Sequence, residues 1–172
     1  MPRPDPDAVD RMTEQWKAVR PDIDVSPMGV IGRVSRLSRL VDRRLGENFA
    51  RHGIESWMYD VLATLLRSGD PYALTAGELM RRTMVTTGAV TNRIDRLEER
   101  GLVERVSTAD RRKVIVRLTD KGRDMVDDVV VGHMATEREI LAALSPRQQS
   151  DFANLLRATL VHLGDRADGH DA

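Results

Sequence analysis

Cysteine is absent from this chain of 172 residues. Its absence excludes disulfide frameworks, thiolate metal sites and thiol nucleophiles. No apolar run approaches the ~18 residues that a membrane-spanning helix needs, and the amino-terminal segment lacks the apolar core of a signal peptide. Aromatic residues form only 3% of the chain, but its hydrophobic fraction of 41% is ordinary for a globular protein. We therefore expect one cytoplasmic domain over residues 1–172, with a disordered tail at 165–172.

Enzyme motifs are absent as well. The chain contains no glycine-rich phosphate loop, no His-Glu-x-x-His and no Gly-x-Ser-x-Gly. His133 and Glu137, which are four residues apart on a predicted helix, could face one metal ion, but a solvated helix face is the simpler interpretation of this pair. We expect no enzymatic activity, no metal and no cofactor.

The formal net charge is zero, but the charges are unevenly distributed along the chain. Residues 81–123 contain 12 Arg and Lys against 6 Asp and Glu, whereas residues 124–172 contain 4 against 9. A basic middle between acidic ends indicates a local surface that attracts phosphates.

Apolar residues recur at helical spacing through most of the chain, which predicts a mainly α-helical fold. Thr75-Ala-Gly-Glu78 is a capping box, and Ser145-Pro146 is typical of a helix start. The predicted helices cover 7–19, 28–51, 55–67, 76–82, 87–100, 120–144 and a final stretch from 146.

Two alternating segments, 102–107 and 113–118, flank a polar turn and predict a β-hairpin. A short helix, a tight turn, a second helix and then a hairpin follow the order of a winged helix-turn-helix, which we place at 55–118.

The helix predicted at 87–100 has the properties of a recognition helix. Its buried arc is formed by Val90, Ile94 and Leu97. Asn92 and Arg96 lie about 165° and 125° from the centre of this arc, so both should face outward toward the major groove. A solvated surface helix is the alternative interpretation.

The start of this helix carries small, uncharged residues. Gly88 and Ala89 would allow a close approach to the bases, and Thr86 and Thr87 lie where hydroxyls and amides can meet phosphates.

The predicted hairpin turn is strongly basic. Asp110, Arg111, Arg112 and Lys113 place three cations in an exposed turn, where they repel one another unless an anion is near. An arginine here could insert into a narrow minor groove, and Asp110 could hold Arg112 in place. An ordinary polar turn is the alternative, but a winged helix that served only protein–protein contacts would not need these cations.

The stretch GAVTNRIDRLEERGLVERVSTADRRKVIVRLTDKG closely resembles the core of MarR-family regulators, including the Asp-x-Arg wing signature at Asp110 and Arg112. The resemblance implies a homodimer whose interface is built by the helical regions 7–51 and 120–165. It further implies that two recognition helices read half-sites of a palindromic operator about one helical turn apart. Regulators of this family usually repress, and they release double-stranded DNA when a small aromatic or phenolic ligand binds.

The extra first helix, with Trp16, resembles the urate-responsive branch of that family. This branch pairs such a tryptophan with an Asp on the central helix and an Arg on the recognition helix, which correspond here to Asp60 and Arg93. Asp60 is a lone carboxylate in an apolar run, where burial without a partner is costly. Arg93 lies about 65° from the buried arc and should point toward the protein body. Alternatively, Trp16 serves simple packing, and Asp60 and Arg93 form a structural salt bridge.

Overall fold

A computed structural model of the chain describes residues 5–83, 87–106 and 114–165. Within these residues the polypeptide forms seven helices and three short strands, so the fold is mainly α-helical with a small sheet, as the sequence predicts. None of the helices in the described ranges has the length and apolar character needed to cross a membrane. In chain order the elements are α1 Ala8–Val19, α2 Ser26–Arg51, α3 Ser56–Leu66, β1 Ala73–Thr75, α4 Ala76–Arg82, α5 Thr87–Glu99, β2 Val103–Val106, β3 Ile115–Leu118, α6 Asp120–Ile140 and α7 Pro146–His162.

Side-chain caps determine where several helices begin. At α4 the Thr75 hydroxyl accepts a hydrogen bond from the backbone N–H of Glu78, and the Glu78 carboxylate accepts one from the backbone N–H of Thr75. Ser145 and Gln148 form the same reciprocal pair at the start of α7. These bonds satisfy amides that have no partner inside the helix. Both helix starts predicted from the sequence are confirmed.

The end of α6 differs from its prediction. The helix ends at Ile140, whereas the apolar pattern predicts helix as far as residue 144. The side-chain amide of Gln149 donates to the backbone carbonyls of Leu141 and Leu144, at 3.3 and 3.0 Å. Because these bonds satisfy the carbonyls in a turn, the chain stops being helical while its apolar residues still follow helical spacing.

The sheet contains the predicted hairpin and one further strand. β2 and β3 pair antiparallel with Val103 opposite Leu118 and Val106 opposite Ile115. The predicted turn between them lies outside the described residues. β1 adds to the free edge of β3, so the order is β1-β3-β2. Three residues are too few to show a period of two, and this strand was therefore not predicted.

One hydrophobic core joins the sheet to α3, α4, α5 and the middle of α6. Ile94 and Leu97 of the predicted buried arc are within it. The approach of α6 to the residue before β2 is very close, because a β-carbon at Gly122 would lie 1.9 Å from the carbonyl oxygen of Leu102. Residues with no exposed surface include Leu62, Leu65, Leu79, Leu97, Leu102, Val116, Val126 and Val129.

The two ends of the chain leave apolar surface uncovered. No residue of α7 is buried, and Leu155 on this helix is 69% exposed. The first half of α2 is similar, with Val30 at 65%. Side chains of α1, α2, α6 and α7 line an open cleft of about 1160 Å³. The other exposed apolar residues of α2 and α7 are Ile31, Val34, Leu37, Leu40, Leu160 and Val161.

Candidate DNA-binding surface and ligand site

Helix α5 is tied firmly to strand β2. The guanidinium of Arg105, on β2, pairs with the carboxylates of Asp95 and Glu98 on α5. The Arg105 backbone N–H also donates to Glu98, at 3.1 Å. Two carboxylates on one guanidinium fix its geometry, so the recognition helix and the first strand of the hairpin are held as one unit.

The outward side of α5 carries the predicted base-reading residues. Asn92 is exposed on this side. Helix α5 begins at Thr87, which places Gly88 and Ala89 in its first turn. Thr86 lies outside the described residues, and so do the predicted wing contacts Asp110, Arg111, Arg112 and Lys113. The DNA-contacting role of all these residues stays a prediction.

Arg96 is exposed but already has partners within the protein. Its guanidinium donates to the carboxylate of Glu55, at 2.8 Å. The same guanidinium lies 4.9 Å from the ring centroid of Trp57, which is a cation–π contact. Glu55 directly precedes α3, so these contacts connect the recognition helix to the start of the central helix.

Arg93 shares that indole ring. Its guanidinium lies 5.4 Å from the Trp57 centroid, so Arg93 points toward the protein body, as its helical position predicts. In the sequence, Trp57 is one of several apolar residues between 57 and 66, and no local signal marks it as a partner of arginine. The indole lies in the first turn of α3, and only the packing of α5 against α3 brings the two arginines onto it.

Asp60 lies one turn after Trp57 on α3 and is partly buried. Burial raises the pKa of its carboxyl above the usual value, and the positive charges of Arg67 and Arg93 partly offset this effect. Among the described residues Asp60 takes part in no hydrogen bond or ion pair, so a direct salt bridge to Arg93 is not formed. Arg67 is itself held by the hydroxyl of Thr64, at 2.8 Å. A carboxylate in this position is suited to accept N–H groups from a bound ligand.

Trp16 makes no direct contact with Asp60 or Arg93 among the described residues. Helix α1 packs on α2, with the buried side chain of Val9 lying against Gly32. Arg33 of α2 also forms ion pairs with Asp7 and Asp10. Trp16 near the end of α1 is 43% exposed. No hydrogen bond, ion pair or ring contact within the described ranges joins it to Asp60 or Arg93.

His133 and Glu137 form a pair on α6, at 3.2 Å. His133 is only 8% exposed and packs against Phe49 and Tyr59, with ring centroids 5.6 and 4.6 Å apart. The interpretation as a solvated helix face is therefore wrong for His133, because α2 and α3 cover it. In the described part of the chain no three His, Asp or Glu residues come together as metal ligands.

A helix-turn-helix packed on an antiparallel hairpin, with its second helix carrying exposed polar residues, defines a winged-helix protein of the DNA-binding class. The model of the MarR family matches residues 52–113. The regulator PecS of Dickeya dadantii is 38% identical over 90% of this chain and 94% of its own length. The chain belongs to the MarR family and is a DNA-binding transcriptional regulator, in a family that is not enzymatic.

Solved structures of the same family share the fold. AbsC of Streptomyces coelicolor, a MarR family transcriptional regulator, aligns over 83% of this chain and 97% of its own, with a TM-score of 0.73 at 22% identity. Sco3205 from the same organism, solved in complex with DNA, aligns over 85% of this chain and 92% of its own, with a TM-score of 0.72 at 22% identity.

Proposed function

We propose that the protein is a homodimeric repressor that binds a palindromic operator and releases it when urate, or a similar planar anion, binds beneath the recognition helix. The observation that carries this proposal is the Arg93–Trp57–Asp60 cluster, because it joins the DNA-reading helix to a partly buried, unpaired carboxylate. The similarity to PecS supports the assignment to the urate-responsive branch. The regulator would act in the cytoplasm, on the chromosome.

The uncovered ends of the chain support the dimer. An apolar stripe exposed along α7 and along the first half of α2 is costly in water, and a second copy of the chain, the partner that the family resemblance favours, would cover it. Residues 7–51 and 120–165 would then form the interface, and the lobe over 55–118 would bind DNA.

The proposed DNA contacts divide by role. Asn92 and Arg96 would contact base edges, and Gly88 and Ala89 would let α5 approach them. Thr86 and Thr87 would meet phosphates, while Asp110, Arg111, Arg112 and Lys113 would form the wing that binds the minor groove.

Ligand binding would cause the release of DNA through Arg93. A planar anion could pair with Arg93 and donate N–H groups to Asp60, with packing from Trp16. Because Arg105 ties α5 to β2, a pull on Arg93 would reorient helix and wing together.

Binding to duplexes from the chain's own promoter region tests the DNA contacts. Arg112→Ala should weaken binding to all sequences and reduce the slope of log affinity against log salt by about 1. Asn92→Ala should weaken binding as well, and it should reduce the free-energy difference between binding the operator and binding altered sequences by roughly 1–3 kcal/mol. Arg147→Ala is the matched control, because Arg147 is an exposed residue of α7 outside the basic region. Unchanged binding by Arg112→Ala at physiological salt would contradict the wing assignment.

Titration of urate into the protein–DNA complex tests the effector. The wild-type protein should release DNA, whereas Asp60→Asn and Arg93→Gln should require more urate. No release at millimolar urate would identify a regulator that ignores this ligand, and a thermal-shift screen of phenols and carboxylates would then identify other effectors.

A further inference from the structure

The carboxylate of Glu55 binds Arg96, a residue that the proposed function also places in contact with DNA. Arg96 donates to Glu55 at 2.8 Å and lies over the Trp57 ring. The neighbouring indole of Trp57 and guanidinium of Arg96 keep the pKa of this carboxyl below the usual value. Glu55 is therefore an anion at neutral pH, next to the cation that would approach the DNA.

We propose that Glu55 competes with DNA for Arg96 and thereby sets the operator affinity. The proposal rests on the proposed contact between Arg96 and DNA. The Nη2 group of Arg96 donates to Glu55 while the guanidinium lies over the indole, so that edge of the guanidinium is not free for a bidentate contact with a base or a phosphate. A bidentate contact through this edge requires Arg96 to leave Glu55.

The strength of the pair fits an exchangeable contact. The side chains of Arg96 and Glu55 are 50% and 55% exposed, and ion pairs at such exposure are weak and sensitive to salt. Arg93 lies on the same indole ring, so the two like charges repel each other there. The departure of Arg96 from the ring relieves this repulsion. A phosphate or a bidentate base contact can therefore displace Glu55 as the partner of Arg96.

A double-mutant cycle in operator affinity tests the competition. Glu55→Gln should tighten binding about two- to fivefold when Arg96 is present, the range that corresponds to an exposed ion pair. In the Arg96→Gln background the same substitution should change affinity by much less, because no arginine is left to release.

Removal of any negative charge near DNA also strengthens binding, so a matched control is needed. Glu99→Gln removes one exposed carboxylate from α5, and its effect should be the same in both Arg96 backgrounds. Thermal melting of every variant checks that the fold is kept. The competition is refuted if Glu55→Gln has an equal effect in both backgrounds, or if it weakens binding, since Glu55 would then orient Arg96 for DNA.

Indole fluorescence gives an independent reading of the same event. The chain has only two tryptophans, so Trp16→Phe leaves Trp57 as the sole indole. Operator DNA should change the emission of Trp57 when Arg96 leaves the ring, and Arg96→Gln should abolish the change. An emission change that persists in Arg96→Gln, or none in the parent variant when DNA is bound, would refute displacement. If the wild-type protein bound no duplex at all, the proposed function itself would fail, which is a distinct result.

Discussion

At the scale of single residues, backbone contact makes Gly122 irreplaceable. A β-carbon there would lie 1.9 Å from the carbonyl oxygen and 2.9 Å from the carbonyl carbon of Leu102. These are backbone atoms of a fully buried residue, so they cannot rotate away as a side chain would. The close approach is needed because α6 begins immediately after β3 and packs back on the core.

Gly122→Ala should therefore lower the free energy of unfolding by about 3 kcal/mol. Urea denaturation of the purified protein measures this change. Gly46→Ala, within α2, is the matched control because its β-carbon would meet no atom within 4 Å. There the substitution should leave stability unchanged or raise it by about 0.5–1 kcal/mol. Equal effects of the two substitutions would contradict the close packing at Gly122.

The carboxylate of Asp60, proposed to bind the ligand, should lower the stability of the folded protein at neutral pH. Burial raises its pKa in the folded protein above the unfolded value of 3.8, so the native state binds this proton more tightly than the unfolded state does. Stability therefore falls as the pH rises through the raised pKa, and the full cost is present at neutral pH. Asp60→Asn should raise Tm at pH 7, with a gain that shrinks as the pH is lowered toward 4.

Thermal melts of Asp60→Asn over this pH range measure the effect. Asp124→Asn, at an exposed position of α6, is the control and should leave Tm at pH 7 unchanged. The prediction would be wrong if Asp60→Asn lowered Tm at neutral pH, because the carboxylate would then have a stabilising partner.

At the scale of elements, α1 is held on α2 mainly through its first half. Val9 is its only buried residue, Met12 is partly buried beside it, and the ion pairs of Arg33 join α2 to the start of α1. Val9 is therefore the main apolar anchor of this helix. The position of Trp16 near the other end of α1 then depends on the same anchor.

Val9→Ala should free α1 from α2. Loss of two buried carbon atoms costs about 2 kcal/mol, which is enough to raise the population of an undocked helix. The amides of α1 should exchange faster with solvent. Release of DNA by urate should require more urate if Trp16 contacts the ligand. Gln15→Ala, on the exposed side of α1, should alter neither measurement. Unchanged exchange in Val9→Ala would mean that other contacts dock the helix.

At the scale of the whole molecule, α7 lacks buried contacts within its own chain. It buries none of its residues, although Phe152, Leu156 and Leu160 follow helical spacing on one side. A helix of 17 residues without tertiary packing is marginally stable in water. The second copy proposed above would supply the missing contacts, so dimer formation and the stability of α7 should be linked.

Leu160→Glu should convert the dimer into monomers, because a carboxylate would be buried in the proposed interface. Sedimentation or light scattering at several concentrations measures the mass, and operator affinity should fall with it. Ala158→Glu adds the same charge to the opposite side of α7, about 160° from Leu160, and should keep the wild-type mass. A Leu160→Glu variant that remained dimeric would show that this stripe lies outside the interface.

The sequence alone determined the elements whose signals are local. Hydrogen-bonding caps at Thr75 and Ser145 act within one turn, so they mark helix starts before any packing is known, and the alternation of Val114, Val116 and Leu118 marks the hairpin for the same reason. The family resemblance and the basic middle of the chain likewise identified the class of DNA-binding protein.

Only the tertiary structure decided which distant residues meet. β1 is three residues long and pairs with β3 across about forty residues of chain, and the stop of α6 depends on Gln149 reaching back to carbonyls before it. The contacts of Arg96 with Glu55 and Trp57 likewise join residues that are about forty positions apart in the sequence. These contacts form because the core packs α5 against α3, and the energy of packing, unlike that of a cap, depends on residues far apart in sequence.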